Sequence, residues 1–413
     1  MKSTHFVNKL ILSASIGMGL FSNLVYASDI KTFGYLSWRT EKIWSELTID
    51  NNGETVKEDA PREISIPFFN IMMLHQVSDK LKFFGNLSGA GAENISVNNA
   101  WGEYQFSENL NLRLGKSYRR FGLYNELLDA VPTYIGIEPP ELLDGDHLIV
   151  SRETLAMVHG SFQYGDGELL YSISTDNGEG GPSVDDNIPI GFDVRYDNSF
   201  NGYLFGISGY SSNGDTTSDK RVGDGSPNTG VLPWMEKDDF TVLGIFGQYE
   251  KNNWKIQAAY WNADHNATRD IDSVINIVDN AGINNAQRNR FLIDPTLAAT
   301  SDNINTNGDY KINTWYMRGG YSYLLQSGAE LVPYAQWDFY ENKETIQNKN
   351  FGGDNEAGLA DDGQFSKATI GIIYRPIPQL AFKTDLSTHL QEFNGKNESY
   401  PEIRFDVSYI FGQ

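Results

Sequence analysis

The end of the chain alternates charged and apolar residues with a period of two. In the last alternating segment, Glu402, Arg404 and Asp406 share one strand face, whereas Ile403 and Phe405 begin an apolar row on the other. The same alternation recurs along the chain, without the helical periodicity that would provide a cover for the apolar faces. In a soluble sandwich these faces would meet in a shared core. We therefore expect lipid to cover them.

Counting such segments gives about sixteen strands, an even number typical of bacterial outer-membrane barrels. The 40 glycines and the 13% of aromatic residues are distributed among these segments, which favours packed strands over disorder. The expected strands start at about Ile30, Glu63, Leu81, Val97, Leu110, Arg152, Glu168, Ile190, Gly202, Asp239, Asn253, Tyr310, Ala329, Phe365, Gln379 and Glu402.

The connections between the expected strands alternate in length. Every second connection is a tight turn, such as residues 107–109 and 165–167, whereas those between are mostly long, such as 117–149, 263–309 and 389–400. Transmembrane barrels carry short turns at the periplasmic end and long loops outside. The pattern therefore predicts an all-β fold: a transmembrane, antiparallel, up-and-down β-barrel of about sixteen strands.

Residues 1–27 have the features of a secretory signal peptide. Lys2 and Lys9 precede an apolar stretch from about Leu10 to Leu24, and Ala27 ends a small-residue cleavage pattern. We expect this segment to be removed after export through the periplasm.

We expect one transmembrane barrel over residues 28–413, and alternation from about Ile30 leaves no room for a preceding plug domain. The formal net charge is -22, from 32 basic and 54 acidic residues; without the two lysines of residues 1–27, 30 bases face 54 acids and the charge is -24. This acidity argues against nucleic acid as a partner. The absence of cysteine excludes a disulfide scaffold and a cysteine-ligated zinc site.

Positively charged residues fall on the polar faces of the expected strands. A Lys or Arg that faces lipid at the midplane costs about 2–4 kcal/mol, so charges collect in the lumen. Each of these bases could simply pair with a neighbouring acid, and both interpretations stay open. Strand parity places in the lumen Lys82, Arg113, Arg195, Lys255, Arg318, Lys367, Lys383 and Arg404.

Residues 114–116 (Leu-Gly-Lys) and 121–126 (Phe-Gly-Leu-Tyr-Asn-Glu) are similar to a segment of putative porins. The mature chain, without residues 1–27, resembles the trimeric, sixteen-stranded Gram-negative porins. The resemblance rests on these residues together with the strand count, the loop asymmetry and the end of the chain. The resemblance implies an outer-membrane location, a homotrimer, and contact with outer-membrane lipid and lipopolysaccharide. It also implies passive diffusion of ions and small hydrophilic solutes through a water-filled channel.

In such porins the loop between the fifth and sixth strands folds into the barrel and narrows the pore, and here it spans residues 117–150. Its many apolar residues also favour an inward fold over exposure to water; an external lid or trimer contact is the alternative. Acids in a pore favour cations, so we expect a cation preference. Arg119, Arg120 and Arg152 lie beside the constriction, where they could bind loop acids or an anionic solute. The acids expected at the constriction are Glu126, Asp129, Glu138, Glu141 and Asp144.

A porin chain usually ends on an aromatic residue that the barrel-assembly machinery recognises. Tyr409 and Phe411 lie at the end of the last alternating segment, so we expect them to carry this assembly signal. Gly412 and Gln413 follow without disturbing the alternation.

Three other functions are compatible with an exported barrel: a hydrolase, an adhesin or receptor, and a substrate-selective porin. A hydrolase would need a nucleophile beside a base, but His75, His147, His159, His265 and His389 are scattered without a nucleophile-elbow or metal-ligand spacing. Adhesin and receptor barrels are commonly small and filled. A substrate-selective porin for a sugar, phosphate or organic acid is the main alternative. We predict a porin without enzymatic activity, cofactor or bound metal.

Overall fold

The computed structural model describes most of the expected barrel. The expected signal peptide, residues 1–27, lies outside the described residues. The structure describes residues 30–49, 55–90, 94–127, 134–141, 152–177, 183–217, 231–354 and 356–412.

Sixteen antiparallel strands form one closed barrel, which confirms the predicted fold class. The strands are β1 (Ile30–Ile43), β2 (Phe69–Ser78), β3 (Leu81–Ala90), β4 (Asn94–Ser107), β5 (Leu110–Tyr118), β6 (Arg152–Tyr164), β7 (Gly167–Asp176), β8 (Ile190–Asn198), β9 (Tyr203–Ser211), β10 (Met235–Lys251), β11 (Trp254–Arg269), β12 (Tyr310–Tyr321), β13 (Glu330–Asn342), β14 (Gln364–Ile377), β15 (Leu380–Phe393) and β16 (Lys396–Phe411).

The barrel closes because β1 pairs with β2 on one side and with β16 on the other. Gly34 lies opposite Phe411 and Glu41 lies opposite Arg404 in the closing pair. Two short strands, Glu63–Ser65 and Tyr323–Leu324, continue β2 and β12 within the same sheet. Closure leaves no free strand edge, which removes the hazard of edge-to-edge association.

The two faces of β16 separate as the alternation predicted. Glu402, Arg404 and Asp406 are buried on the lumen side, whereas Ile403 and Phe405 are exposed on the outer surface. Large apolar residues are exposed in the same way on other strands, including Trp38, Phe83, Ile245 and Trp337. The barrel is therefore apolar outside and polar on much of its inner wall.

The two ends of the barrel differ in their connections. At what we call the turn end, β10 leads into β11 through Asn252 and Asn253, both at positive φ, as a two-residue hairpin turn requires. The opposite end, the loop end, carries most of the long connections. The predicted contrast between the two ends is therefore present.

The predicted long loop at 389–400 is wrong. β15 continues to Phe393 and β16 begins at Lys396, so that Asn394 and Gly395 alone form the turn, with φ of 52° and 67°. These values fit the type I′ turn that Asn-Gly favours. Polar residues flank the turn because side chains beyond the apolar belt no longer face lipid, and this hid the strand pattern.

The connection between β11 and β12 contains two helices, α1 (Ile271–Asn280) and α2 (Asn285–Phe291). The Asp270 side chain accepts a hydrogen bond from Ser273 N at 2.8 Å and caps α1. Asn284 and Gln287 form a reciprocal capping box on α2. Within the described ranges, no helix is long and apolar enough to span a membrane.

Three long connections, β9–β10, β11–β12 and β13–β14, pack together at the loop end. Their shared apolar cluster, which we call the loop core, contains Trp234, Ile277, Phe291, Ile346 and Ala357, all buried. Each of the three connections therefore buries apolar side chains against the other two.

A buried ion pair joins the loop core to the barrel. Arg269, the last residue of β11, donates from Nε to Glu344 Oε1 at 2.7 Å and from Nη2 to Glu344 Oε2 at 2.8 Å. Trp234 Nε1 donates to the same Glu344 Oε1 at 3.2 Å, and Arg269 Nη1 donates to Asn305 O at 2.9 Å. One bidentate pair therefore fixes three connections relative to the barrel wall.

Candidate functional site in the barrel lumen

The connection between β5 and β6 enters the lumen. Phe121 stacks on Trp261 of β11, with ring centroids 4.4 Å apart, and Gly122 N donates to Ser208 Oγ of β9 at 3.0 Å. Gly122 has φ of 66°, and a Cβ at this position would lie 2.8 Å from the Trp261 ring. The close approach therefore requires glycine.

Arg119 anchors the start of this connection. Its Nη2 donates to Asp176 Oδ2 of β7 at 2.5 Å, and its guanidinium lies 4.3 Å from the ring centroid of Tyr210 on β9. Asn125 Nδ2 donates to Arg119 O at 2.8 Å, which closes the segment on itself. Arg119 is buried and paired with an acid of the wall.

A second part of the connection, residues 134–141, crosses to the strands on the far side. Arg318 of β12 donates to Ile135 O at 2.6 Å and to Glu138 O at 3.1 Å. Lys383 of β15 donates to Gly136 O at 2.9 Å. Arg318 and Lys383 therefore donate hydrogen bonds to backbone carbonyls of the connection. The alternation of inward and outward residues along the strands did not predict this interaction.

Glu138 is the centre of a group of ion pairs. Its carboxylate contacts Arg39 Nη1 at 2.8 Å, Lys367 Nζ at 3.4 Å, and Arg404 Nη1. Burial alone would raise the pKa of Glu138, but attraction by Arg404, Lys367 and Arg39 outweighs it and holds that pKa well below the usual range. Glu141 is beside it, with Oε1 2.6 Å from Lys367 Nζ.

Glu126 pairs with bases from the connection and from the wall. Its carboxylate lies 3.4 Å from Arg120 Nε and 3.3 Å from Arg195 Nη2, and Arg195 Nε also donates to Asp193 Oδ1 at 2.6 Å. At the described loop acids, wall bases thus touch the acids directly and do not face them across a gap.

The remaining expected residues are distributed as follows. Lys255 lies near the turn end, 3.2 Å from Glu250. Arg152 begins β6, but its side chain lies outside the described part of the structure. Asp129 and Asp144 are also outside the described residues.

Tyr409 and Phe411, the expected assembly signal, end β16 at the turn end on its outward face. Their ring centroids lie 6.4 Å apart.

Glu103 on β4 organises a cluster that the sequence did not single out. It accepts from Lys82 Nζ at 2.7 Å, Arg113 Nη2 at 2.8 Å and His159 Nε2 at 3.0 Å. The Arg113 guanidinium lies 4.0 Å from the ring centroid of Trp101. Glu103 lies directly opposite Lys82 on β3 and Arg113 on β5, so the register of β4 with its two neighbouring strands was a usable signal.

A cavity of about 580 Å³ lies beside this cluster. It is bounded by Lys82, Glu103 and His159 of the wall and by Arg120 of the inserted connection. Asp79 and Lys80, in the turn between β2 and β3, line it as well, which places the cavity toward the turn end.

The lumen has two unlike sides. On the β1–β6 side, inward residues such as Ser37, Asn70, Asn86 and Asn99 are polar. On the β9–β14 side, inward residues form one apolar cluster with Phe121, Tyr124 and the loop core. The inward residues of that cluster include Tyr210, Phe240, Val242, Phe246, Ala259, Trp261, Ala263, Ala267, Tyr310, Ile312, Tyr316, Tyr340 and Phe365.

No protein-family model matches the chain, and no curated protein matches its sequence. Its fold is similar to that of the outer membrane channel DcaP of Acinetobacter baumannii, at 11% identity and a TM-score of 0.54, covering 93% of this chain and 97% of that one. An anion-selective porin from Comamonas acidovorans gives 11% identity and a TM-score of 0.55, covering 93% and 99%. Outer-membrane expressed OmpT of Vibrio cholerae gives 12% and 0.52, covering 94% and 100%. At these identities the likeness shows the fold, and it confirms the predicted porin-like architecture.

Proposed function

We propose that this protein is an outer-membrane porin, a channel for passive diffusion of ions and small hydrophilic solutes. The observation that carries this proposal is the barrel itself: an apolar outer belt surrounds an inner wall that is polar on the β1–β6 side, with one connection folded into the lumen. A barrel of about sixteen strands leaves room for an aqueous channel. The fold shared with outer membrane channels supports the same function.

Several further features belong to the proposal. Residues 1–27 act as the export signal, residues 28–413 form the barrel, and the assembled protein is a homotrimer in contact with outer-membrane lipid and lipopolysaccharide. Tyr409 and Phe411 carry the signal read by the assembly machinery. The resemblance to trimeric porins supports these assignments.

The expected cation preference rested on acids of the β5–β6 connection. Glu126, Glu138 and Glu141 each contact one or more bases, so their charges are largely compensated where they lie. We therefore do not retain cation preference in the proposal.

An enzymatic function finds little support. In the described part of the chain, His159 pairs with Glu103, His265 with Asp238, and His389 with Glu356 and Glu402. No group of three or more His, Cys, Asp or Glu side chains among the described residues could hold a metal ion. Hydrogen bonds to carboxylates account for the placement of these three histidines in the barrel.

Planar-bilayer recording tests the proposal. Purified mature protein should give discrete conductance steps in potassium chloride. Each insertion into the bilayer opens one water path for a monomer, or three for a trimer. Heat-unfolded protein is the control and should give none. A folded barrel that inserts into the bilayer without conductance steps would overturn the channel function.

A further inference from the structure

The 580 Å³ cavity at the β3–β6 wall collects bases in a chain of strongly negative net charge. Lys80, Lys82 and Arg120 line it, and Arg113 joins it through Glu103. The acids on its lining are Asp79 and Glu103. On the lining itself, three bases therefore face two acids. Arg113, which contacts Glu103, adds a fourth base, and Glu126, which contacts Arg120, adds a third acid, so one positive charge is in excess before His159 is considered.

The bases come from two separate parts of the fold. Lys82 and Arg113 belong to the wall, whereas Arg120 belongs to the inserted connection. A solute in the cavity would therefore lie between the wall and the connection. The volume falls within the range of small-molecule sites, about 300–1,000 Å³.

Lys82 is the more accessible of the two wall bases, Lys82 and Arg113. Its side chain is 37% exposed, although its Nζ lies 2.7 Å from Glu103 Oε1. An ammonium group has three donors, so Lys82 can hold Glu103 and still bind a second carboxylate. Arg113, by contrast, is positioned by Glu103 and by the Trp101 ring.

Glu103 sets the strength of the site. Its carboxylate already occupies one side of Lys82, Arg113 and His159 and lowers the positive potential that a passing anion meets. Conduction requires binding strong enough to enter a site and weak enough to leave it. A resident carboxylate beside Lys82 and Arg113 therefore favours weak, reversible binding of an anion.

We propose that this cavity, bounded by Lys82, Glu103, Arg120 and His159, is a transient binding site for small organic carboxylates on their way through the lumen. This inference rests on the proposed porin function and names the substrate class of the channel. Glu103 acts as a built-in competitor of the solute carboxylate.

Two lysines allow a matched test. Lys82 and Lys255 are each the second residue of a strand that follows a tight turn, with side chains 37% and 33% exposed, and each lies within 3.2 Å of a glutamate. Lys82 lines the cavity on the β3 side, whereas Lys255 lies on β11 in the other half of the barrel. Lys82→Met and Lys255→Met therefore make the same chemical change at comparable positions.

The measurement is the block of potassium chloride current by succinate, with succinamide as the uncharged ligand of similar size. We expect succinate, and not succinamide, to reduce the current of the unchanged protein. Lys82→Met should require about fivefold more succinate for half-block, as the loss of one partly exposed ion pair would give. Lys255→Met should leave the half-blocking concentration unchanged, and Glu103→Gln should lower it.

The outcomes separate this inference from the function on which it rests. Absence of conductance in the folded, unchanged protein would defeat both. Normal conductance with equal succinate block in Lys82→Met and Lys255→Met would overturn the carboxylate site alone. Block by succinamide at the same concentration as succinate would also overturn it, since charge would then play no part. For each variant, a change in gel mobility on heating shows that the barrel had folded.

Discussion

The β9–β14 side of the lumen and the β1–β6 side are built from the same kind of strand but are filled differently. On the first side, inward Trp261, Tyr316 and Phe240 pack against the inserted connection and the loop core. On the second side, inward Asn86, Glu103 and their neighbours are polar, and the cavity lies beside them. A barrel can therefore use part of its interior as an ordinary apolar core while the rest stays polar.

The difference follows from what each side meets. Inward aromatic residues would be unfavourable in a water-filled lumen, but the loops supply apolar partners that bury them. Inward charges are unfavourable in an apolar core, so Arg269 is paired with Glu344 there by two hydrogen bonds. The polar side needs no such cover, because water can solvate its amides and charges.

The largest expected effect comes from breaking the buried ion pair between Arg269 and Glu344, on the apolar β9–β14 side. Glu344→Gln should lower the free energy of unfolding by about 3–5 kcal/mol, because it leaves the buried Arg269 charge without its partner. The thermal unfolding midpoint in detergent, read from gel mobility, measures the change. The three loop-end connections should also become more sensitive to protease.

Lys311→Met is the matched control for that prediction. Lys311 pairs with Asp264 at 2.6 Å, but the two side chains are 64% and 57% exposed. Its loss should change stability by no more than about 1 kcal/mol. Equal effects of Glu344→Gln and Lys311→Met on the unfolding midpoint would mean that the loop core contributes little to the stability of the β9–β14 side.

Phe121→Ala tests whether the inserted connection depends on the filled side. The substitution removes the ring stacked on Trp261 and should cost about 3 kcal/mol. Single-channel conductance should rise, because the connection loses its main apolar contact and occupies less of the lumen. Unchanged conductance together with a lowered unfolding midpoint would show that Phe121 packs without limiting the pore.

Glu138→Gln tests the ion pairs that hold the far end of the connection. Three bases, Arg39, Lys367 and Arg404, would lose their shared carboxylate, at a cost of about 1.5–3 kcal/mol. In a salt gradient, the reversal potential should shift toward anions. A shift toward cations would contradict an influence of Arg39, Lys367 and Arg404 on ions in the lumen.

The pH dependence of the same group has a definite sign. Because the pKa of Glu138 is lowered below its usual 4.5, its ion pairs contribute stability above that pH and lose it only as pH falls through the lowered value. Conductance of the unchanged protein should therefore be stable from pH 7 to about pH 5, as far as Glu138 determines it. Loss of the normal conductance near pH 5 in the unchanged protein, but not in Glu138→Gln, would contradict this.

The smallest expected effect concerns salt on the polar side. Exposed charges such as Lys82 are screened over about 10 Å at 0.1 M salt and about 3 Å at 1 M. The difference in ion selectivity between the Lys82→Met variant and the unchanged protein should therefore become smaller as the salt concentration rises. A difference independent of salt would place Lys82 in a more enclosed environment than its exposure indicates.

Much of the fold could be predicted from local patterns. The alternation at Glu402–Asp406 assigned the correct faces because outward side chains of a membrane barrel meet lipid. The same rule failed near Asn394 and Gly395, since strands that extend beyond the apolar belt lose the pattern. There the Asn-Gly pair itself was the better signal of a turn.

The candidate site was less accessible to such reasoning. Glu103 could have been found by aligning the hairpins on either side of β4. Arg39 could not have been assigned to Glu138, because 99 residues separate them and the inserted connection brings them together. The loop core likewise joins three connections whose meeting no local pattern encodes.

By itself, the sequence determined which residues face outward and which face inward, because that choice repeats every two residues and depends only on the solvent of each face. Only the tertiary structure decided which half of the lumen is packed and which acid meets which base. Those contacts join residues as far apart as Glu41 and Arg404, 363 positions along the chain. Distances of that kind are set by how the barrel closes and where its loops fold.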